Sequence, residues 1–314
     1  MEVSSNGIWY LSHRIKFYVL LVLQIPSIIL CLFIFLFYFL HSRILHKIQY
    51  QALLILYIVN IIQLVCNLPM PIHFFHLGYI NPATTIYCKW WMFLEFTLDA
   101  SNAFLVMIIS MQRHTLIFHP NQFHRLWKRY LFYYLPLALC LIYPICFYAG
   151  TVIFYPCAYE AFDFTANTCG DYACYLSNNT SLATYDWIFN TGLPILLTLL
   201  ANITLITRVI QQKYRQQRAM NWSKQRRMTI QLCSISSLYI ITWSPSIIIG
   251  MMQQIKPFDK YKLHRFQEDY ISDLKYFISI LLPWISLGFF PDFQKWIFNR
   301  FHHITRHQNT IVPA

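Results

Sequence analysis

Charged side chains are scarce in this 314-residue sequence, and acidic ones are the scarcest. Only 11% of the residues are charged, with 12 aspartates and glutamates against 24 lysines and arginines. Because soluble globular domains carry about a quarter charged residues, this composition excludes an ordinary soluble chain. The nine cysteines include no C-x-x-C pair, which argues against a zinc site. The sequence also lacks internal repeats, low-complexity linkers and a recognisable cleavable signal peptide.

Hydrophobic residues are abundant instead. They make up 57% of the chain, aromatic residues alone make up 18%, and the mean hydropathy is +0.42. Runs of about 20 apolar residues cross a bilayer as helices, which satisfy their own backbone in lipid. The sequence therefore predicts an all-α membrane protein, a seven-transmembrane helix bundle that forms a single domain over residues 1–314. The predicted spans are residues 17–40, 50–72, 87–110, 130–154, 187–210, 228–252 and 271–290.

The distribution of charge predicts the orientation of the bundle. A net charge of +12 could suggest a nucleic-acid partner, but the cations cluster between apolar runs, as the positive-inside rule requires. With the N-terminus outside, most of the 24 lysines and arginines face the cytoplasm, and Asp292 is the one acid there. We therefore expect a cytoplasmic C-terminus, contact with membrane lipids and no nucleic acid. A short amphipathic helix, residues 291–301, is expected on the inner leaflet.

The loop before the fifth span would then lie outside the cell. It carries Asn178-Asn179-Thr180-Ser181, two overlapping acceptor motifs, so glycosylation is predicted at Asn178 or Asn179. The same loop holds Cys157, Cys169 and Cys174. Extracellular cysteines oxidise, so Cys88, at the head of the third span, is predicted to bridge one of the three. Sequence alone leaves the pairing open.

The third span carries the most specific pattern. Cys88 opens it, Arg113-His114 closes it, and His119-Pro120 follows. Trp243-Ser244-Pro245 lies in the sixth span, and prolines lie in the fifth and seventh. Over nearly its whole length the chain resembles the rhodopsin-like (class A) G-protein-coupled receptors. The resemblance implies a plasma-membrane receptor that is not an enzyme and needs no cofactor. It also implies Cys174 as the first choice of partner for Cys88.

The resemblance implies a coupling site for a heterotrimeric G protein at the foot of the third span. Its expected residues are Arg113, Gln112, His114, Arg226 and Arg227. Gln112 stands where the family has an acid, and His114 stands where it has a tyrosine. The usual ionic latch is therefore missing, and signalling without ligand is expected.

The sodium-binding aspartate that the family carries in its second span is also replaced, by Asn60. Sodium control is therefore doubtful, and we expect Asn60 to be bonded to neighbouring helices.

The extracellular ligand, a peptide or a small polar molecule, is expected to meet a group of polar and aromatic side chains. The predicted ligand-binding residues are Glu95, Asp99, Trp243, Lys275 and Tyr276. Glu95 occupies the position of the anionic partner in amine receptors. Glu95 and Asp99 share one helix face, and an intramembrane lysine rarely stays unpaired. We therefore expect Lys275 to pair with one of the two carboxylates.

Two other functions compete with this one. A seven-helix transporter or channel could use Glu95, Asp99 and Lys275 as a polar path, because intramembrane charges mark such routes. No inverted repeat supports that hypothesis. A retinal photoreceptor is suggested by Lys275, but this lysine lies one residue from the position of the opsin lysine, which Tyr276 occupies.

Overall fold

The computed structural model describes residues 2–41, 48–118, 126–156, 162–171, 173–215, 222–255, 271–289, 293–294 and 296–297. Within these ranges six long helical elements and one shorter helix form the bundle. In chain order they are α1 (Glu2–Leu40), α2 (Ile48–Ile62, Gln63–Asn67 and Pro69–Leu77), α3 (Thr85–Phe118), α4 (Leu126–Arg129, Tyr130–Tyr134, Leu135–Tyr148 and Ala149–Ile153), α5 (Thr180–Tyr185, Asp186–Gly192 and Leu193–Arg215), α6 (Trp222–Ile255) and α7 (Leu274–Phe289).

Six of these helices are long and apolar enough to cross a membrane, and α7 is a shorter apolar helix. The predicted helical membrane bundle is therefore confirmed. The first helix begins at Glu2, well before the predicted start of its span, and runs for 39 residues. Of the predicted amphipathic helix 291–301, only residues 293–294 and 296–297 are described, and they are helical. The other residues of that helix lie outside the described part of the chain.

The third helix is the most enclosed element of the bundle. In its membrane-spanning window 67% of the residues are buried, against 28–50% in the other five long helices. The large hydrophobic side chains left exposed on other helices, such as Phe39 and Trp127, lie on a surface that lipid can cover. Functional side chains on α3 are therefore held from several sides. We call its two ends the Cys88 end and the Arg113 end.

Several helices contain a π-helical turn, which inserts one residue and rotates the side chains beside it. One occupies Gln63–Asn67 in α2, and another occupies Asp186–Gly192 in α5. Gln24 of α1 donates a 2.7 Å hydrogen bond to the carbonyl of Leu64, which lies in the π-helical turn of α2. Both turns carry polar residues of the site described below.

On the side of the bundle where the Cys88 end of α3 lies, α5 and α6 meet at a glycine. A Cβ atom built on Gly250 would lie 2.7 Å from the ring atoms of Trp187. Because real Cβ atoms do not approach so closely, only glycine lets the indole of Trp187 lie on α6 here. This contact joins the π turn of α5 to α6.

Candidate functional site

Glu95 is the centre of a buried polar group near the Cys88 end. Its carboxylate is fully buried and forms an ion pair with Lys275, with 2.5 Å between Oε1 and Nζ. The hydroxyl of Tyr276 donates to Oε1 at 2.9 Å, and the indole Nε1 of Trp91 donates to Oε2 at 2.7 Å. Trp91 and Glu95 are one turn apart on α3, whereas Lys275 and Tyr276 are neighbours on α7. Glu95 therefore joins two helices with its charge balanced.

Asp99 belongs to a different polar group. Gln63, from the π turn of α2, donates from Nε2 to Oδ1 of Asp99 at 2.7 Å. Asn102 in turn donates to Oε1 of Gln63 at 2.6 Å. The sequence analysis treated Asp99 and Glu95 as one centre. In the structure Lys275 pairs with Glu95, and Asp99 ties α3 to α2 through Gln63.

Trp243 is also separate from the group around Glu95. It is partly buried against the core cluster that contains Leu105 and Val106 of α3. Trp91 and Tyr276 belong to another core cluster, together with Cys88. Of the five predicted ligand-binding residues, the structure therefore brings three together, namely Glu95, Lys275 and Tyr276.

The loop between α4 and α5 covers the Cys88 end, where one prediction was wrong. Cys88 forms its disulfide with Cys169, with Cα atoms 5.9 Å apart, and not with Cys174. Thr168, Cys169 and Gly170 have φ of 52°, 57° and 82°, a left-handed turn that brings Cys169 onto the head of α3. Cys174 is disulfide-bonded as well, and Cys157 lies outside the described residues. Cys174 is close to α5 in sequence, but this position does not bring it next to Cys88 in the structure.

Further polar contacts hold this loop on the bundle. The amide of Ile80 donates to the carbonyl of Phe164 at 2.8 Å, and Asn167 donates to Oδ1 of Asp273 at 3.3 Å. Asp273 forms an ion pair with Lys16 of α1 at 2.7 Å. Burial nevertheless raises the pKa of Asp273, more than the ammonium of Lys16 lowers it. These contacts thus join the loop to α1 and to the start of α7, two residues before Lys275.

Asp186 is a buried carboxylate that the sequence analysis missed. It lies in the π turn of α5, 9% exposed, and all of its hydrogen-bond partners are neutral. Oδ1 accepts from Tyr148 at 2.7 Å and from Asn190 at 2.6 Å, and Oδ2 accepts from Tyr175 of the loop at 2.7 Å. The predicted span begins at residue 187, so Asp186 fell outside it. An acid directly before an apolar run was the available signal.

Asn60 lies where the family's sodium-binding aspartate is expected. Its Nδ2 donates to the carbonyl of Ser279 in α7 at 3.1 Å. It is 1% exposed and so bonds α2 to α7 inside the bundle, as the sequence analysis expected.

At the Arg113 end the charge is buried rather than directed outward. Arg113 is 4% exposed, and its Nη2 has no hydrogen-bond partner among the described residues. Gln112 turns away from it and donates from Nε2 to the carbonyl of Tyr133 in α4, at 3.1 Å. The side chains of His114, Arg226 and Arg227 lie outside the described residues, although their backbone is helical.

The two predicted glycosylation acceptors differ in their local contacts. Asn179 caps the first turn of α5, where its Oδ1 accepts a 3.1 Å hydrogen bond from the amide of Leu182. The side chain of Asn178 is exposed, and its Nδ2 donates to Sγ of Cys174 at 3.2 Å.

Comparison with known proteins gives the chain its family. The profile described as "7 transmembrane receptor (rhodopsin family)" matches residues 29–285, which is most of the sequence. A search of curated proteins gave no significant match. The family is one of receptors without enzymatic activity, and its members are multi-pass proteins of the plasma membrane. With its apolar helices, its buried α3 and the disulfide at the head of that helix, this chain belongs to the rhodopsin family of seven-transmembrane receptors.

Proposed function

We propose that this receptor binds an extracellular peptide or small polar molecule at its Cys88 end and activates a heterotrimeric G protein at its Arg113 end. The N-terminus then lies outside the cell and the C-terminus in the cytoplasm. The clustering of cations in the segments next to Arg113 supports this orientation.

The buried ion pair between Glu95 and Lys275 carries the proposal. It joins α3 to α7 seven residues along α3 from the disulfide-bonded Cys88, and its members differ in exposure. The side chain of Lys275 is 12% exposed, whereas that of Glu95 is 0% exposed. An acidic group of a ligand would therefore meet Lys275 first and compete with Glu95 for it. A ligand shifts a receptor only through such differential contacts.

The remaining predicted ligand-binding residues take supporting roles in this proposal. Tyr276 loses its carboxylate acceptor when Glu95 moves, and Asp99 resists movement of α3 through Gln63. Trp243 lies two residues before Pro245, which removes one hydrogen bond from α6 and makes bending easier at that point. Movement of α3 against α6 would therefore concentrate beside Trp243.

Coupling at the other end is proposed for Arg113 with its neighbours Gln112 and His114, and for Arg226 and Arg227 of α6. The guanidinium offers a planar fork of donors that suits backbone carbonyls of a partner. Because Arg113 is buried here, coupling requires it to leave this position.

Purified receptor in lipid nanodiscs tests the proposal with two readouts. Peptides and small polar molecules are screened for a rise in the thermal unfolding midpoint, since a ligand that binds only the folded state stabilises it. The compounds that stabilise the receptor are then tested for guanine-nucleotide exchange on several G-protein heterotrimers. Arg113→Ala should abolish exchange and keep the stabilisation, whereas Lys275→Met should weaken both. Stabilising compounds that never promote exchange would contradict G-protein coupling.

Glycosylation is proposed at Asn178 first, because its side chain is exposed and that of Asn179 caps a helix. Asn178→Gln should increase gel mobility as much as glycosidase treatment does, and Asn179→Gln should not. Equal mobility of all three proteins before and after glycosidase treatment would refute this prediction.

A further inference from the structure

Asp186 is a buried carboxylate that has no cation beside it in the described part of the chain. The ion pairs found there are Lys16–Asp273 and Lys275–Glu95, and Asp186 takes part in neither. Aspartate is almost never buried unless its charge is balanced. Inside a membrane helix such a side chain usually marks a functional site. The charge of Asp186 must therefore be balanced by a proton or by a cation from elsewhere.

The groups around Asp186 are already arranged for a charged carboxylate. Asn190 donates from Nδ2 to Oδ1 of Asp186 at 2.6 Å, and an amide nitrogen can only donate. Tyr143 fixes the orientation of this amide, because its hydroxyl donates to Oδ1 of Asn190 at 2.8 Å. Burial by itself favours the protonated acid, whereas these donors favour the charged form, so a bound cation decides between the two. The site can thus accept a cation without rearranging its donors.

One acceptor position of Asp186 is open among the described residues. Each carboxylate oxygen can accept two hydrogen bonds. Oδ1 accepts from Tyr148 and Asn190, whereas Oδ2 accepts only from Tyr175. Tyr175 belongs to the loop between α4 and α5, which lies on the extracellular side in the proposed orientation. The open position is therefore on the oxygen that is bonded to this loop.

The acid on α3 is less suited to a cationic group. Glu95 occupies the position of the anionic partner in amine receptors, but Lys275 already balances its charge. Trp91 and Tyr276 donate to its two oxygens, and the residue is 0% exposed, against 9% for Asp186. A cationic group would thus find a paired carboxylate on α3 and an unpaired one on α5.

We propose that Asp186 binds a cationic group of the extracellular ligand, an ammonium or a guanidinium, through an ion pair at Oδ2. The inference rests on the proposed function, in which an acidic group of the same ligand meets Lys275. The ligand then carries both charges, as amino acids and short peptides with a free N-terminus do. Trp187 follows Asp186 in the chain and lies against Gly250 of α6. The bound cation therefore lies next to the contact between α5 and α6.

Binding of small organic cations to purified receptor in lipid nanodiscs tests the site without any G protein. The probes are phenethylammonium and benzylguanidinium, and phenethyl alcohol is the neutral isostere. The rise of the thermal unfolding midpoint with probe concentration gives an apparent affinity. At least one cation should raise the midpoint of the wild type, and the alcohol should not.

Asp186→Asn should weaken binding of that cation by roughly tenfold or more, because a hydrogen bond between two charged groups is lost. Asp163→Asn is the matched control. Asp163 is an exposed acid of the same loop that is bonded to Thr165, so its substitution should leave the affinity unchanged.

Tyr175→Phe should have the opposite effect and keeps the proposal testable if Asp186→Asn folds poorly. Without the hydroxyl of Tyr175, both acceptor positions of Oδ2 are open to the cation. The affinity should therefore rise about fivefold, the factor that one neutral hydrogen bond represents. If Asp186 has a purely structural role, Tyr175→Phe lowers the midpoint of the ligand-free receptor and leaves the affinity unchanged, which would overturn the proposal.

The outcomes separate failure of this site from failure of the proposed function. Cation binding that is lost in Glu95→Gln and kept in Asp186→Asn, or no binding of either cation, would overturn the assignment to Asp186. Binding that depends on Asp186, without nucleotide exchange by any compound, would support the site and refute G-protein coupling. Zwitterionic compounds that promote exchange equally in the wild type and in Asp186→Asn would refute the site and leave the proposed function intact.

Discussion

Helix α3 carries two buried charges, Glu95 and Arg113, whose surroundings differ. They are roughly 27 Å apart along the helix axis. Glu95 has a cation at 2.5 Å and two further hydrogen-bond donors. Arg113 has no acid near it in the described part of the chain, and its Nη2 has no hydrogen-bond partner there. One charge is fully balanced inside the bundle, and the other is only sheltered.

The difference shows how a single rigid helix can have one firm end and one adjustable end. Removing one partner of a buried ion pair costs about 3–5 kcal/mol, so the Glu95 end changes state only when another acidic group replaces Glu95 as the partner of Lys275. Arg113 has no ion pair among the described residues, so we expect the Arg113 end to change state more easily. Under the proposed function, ligand binding at the Glu95 end therefore has to break a specific ion pair, whereas release of Arg113 breaks no ion pair of the described residues.

The largest effect is expected when the pair at the firm end is broken. Lys275→Met should lower the free energy of unfolding by about 3–5 kcal/mol, because Glu95 is left buried without a cation. Adding Glu95→Gln should restore most of the loss, since no unpaired charge remains. Lys16→Met is the control, because the Lys16–Asp273 pair is more exposed and should contribute about 1 kcal/mol or less. Thermal unfolding of the purified receptor measures these stabilities. A double variant as unstable as Lys275→Met would contradict the pairing of Lys275 with Glu95.

The disulfide over this end should give the next largest effect. Cys169→Ser should lower stability by about 2–4 kcal/mol, the usual contribution of a bridge that closes a long loop. Non-reducing peptide mapping of the wild type should recover the Cys88 peptide linked to Cys169. Recovery of Cys88 linked to Cys174, or a free Cys88 in folded receptor, would refute the pairing.

A smaller effect is expected at Asp186, a buried acid with neutral partners only. Asp186→Asn keeps the shape but reduces the number of acceptor positions facing Tyr148, Tyr175 and Asn190. One or two hydrogen bonds should be lost, at about 1–3 kcal/mol in total. The unfolding midpoint should therefore fall less than in Lys275→Met. A fall as large as in that variant would mean that Asp186 has a cationic partner.

The smallest effect is expected from Gln112→Glu at the adjustable end. This substitution gives Arg113 an acidic neighbour, so that both ends of α3 would contain an ion pair. Glutamate at position 112 cannot donate to the carbonyl of Tyr133, as Gln112 does, so its carboxylate should turn toward Arg113. Gln112→Glu should therefore lower ligand-free nucleotide exchange a few-fold, because the new ion pair with Arg113 should stabilise the buried position of Arg113 by about 1 kcal/mol. Gln112→Met, which lacks both the charge and the donor, is the control. Exchange that rises in Gln112→Glu would show that no ion pair forms.

The sequence was sufficient for features that depend on composition and on local spacing. Long apolar runs predicted the helical bundle, because only helices satisfy their own backbone in lipid. Unpaired lysines are rare inside membranes, so a carboxylate partner was predicted for Lys275. The bonded role of Asn60 followed in the same way, since a buried amide needs partners on neighbouring helices.

Other features depend on three-dimensional paths that spacing does not encode. The partner of Cys88 is set by a left-handed turn at Thr168–Gly170, which carries the loop back to α3 before it reaches α5. No periodicity in the sequence announces that turn. The π turns had the same consequence for Gln63 and Asp186, because each shifts the helical phase locally and places a polar side chain where regular spacing would not.

The length of α1 allows movement of this helix to be measured directly with an attached label. At 39 residues the helix is about 58 Å long, nearly twice the thickness of a hydrocarbon core. Lys16 joins it to Asp273 at the start of α7, so the turns that precede Lys16 act as a lever on the Cys88 end of the bundle. The exposed Tyr10 and Leu11 are natural positions for a fluorophore or a spin label. A tilt of roughly 5° about Lys16, which lies about 9 Å from Tyr10 along the helix, would displace such a label by about 0.8 Å. Spectroscopy on that lever would record ligand binding before any G protein is added.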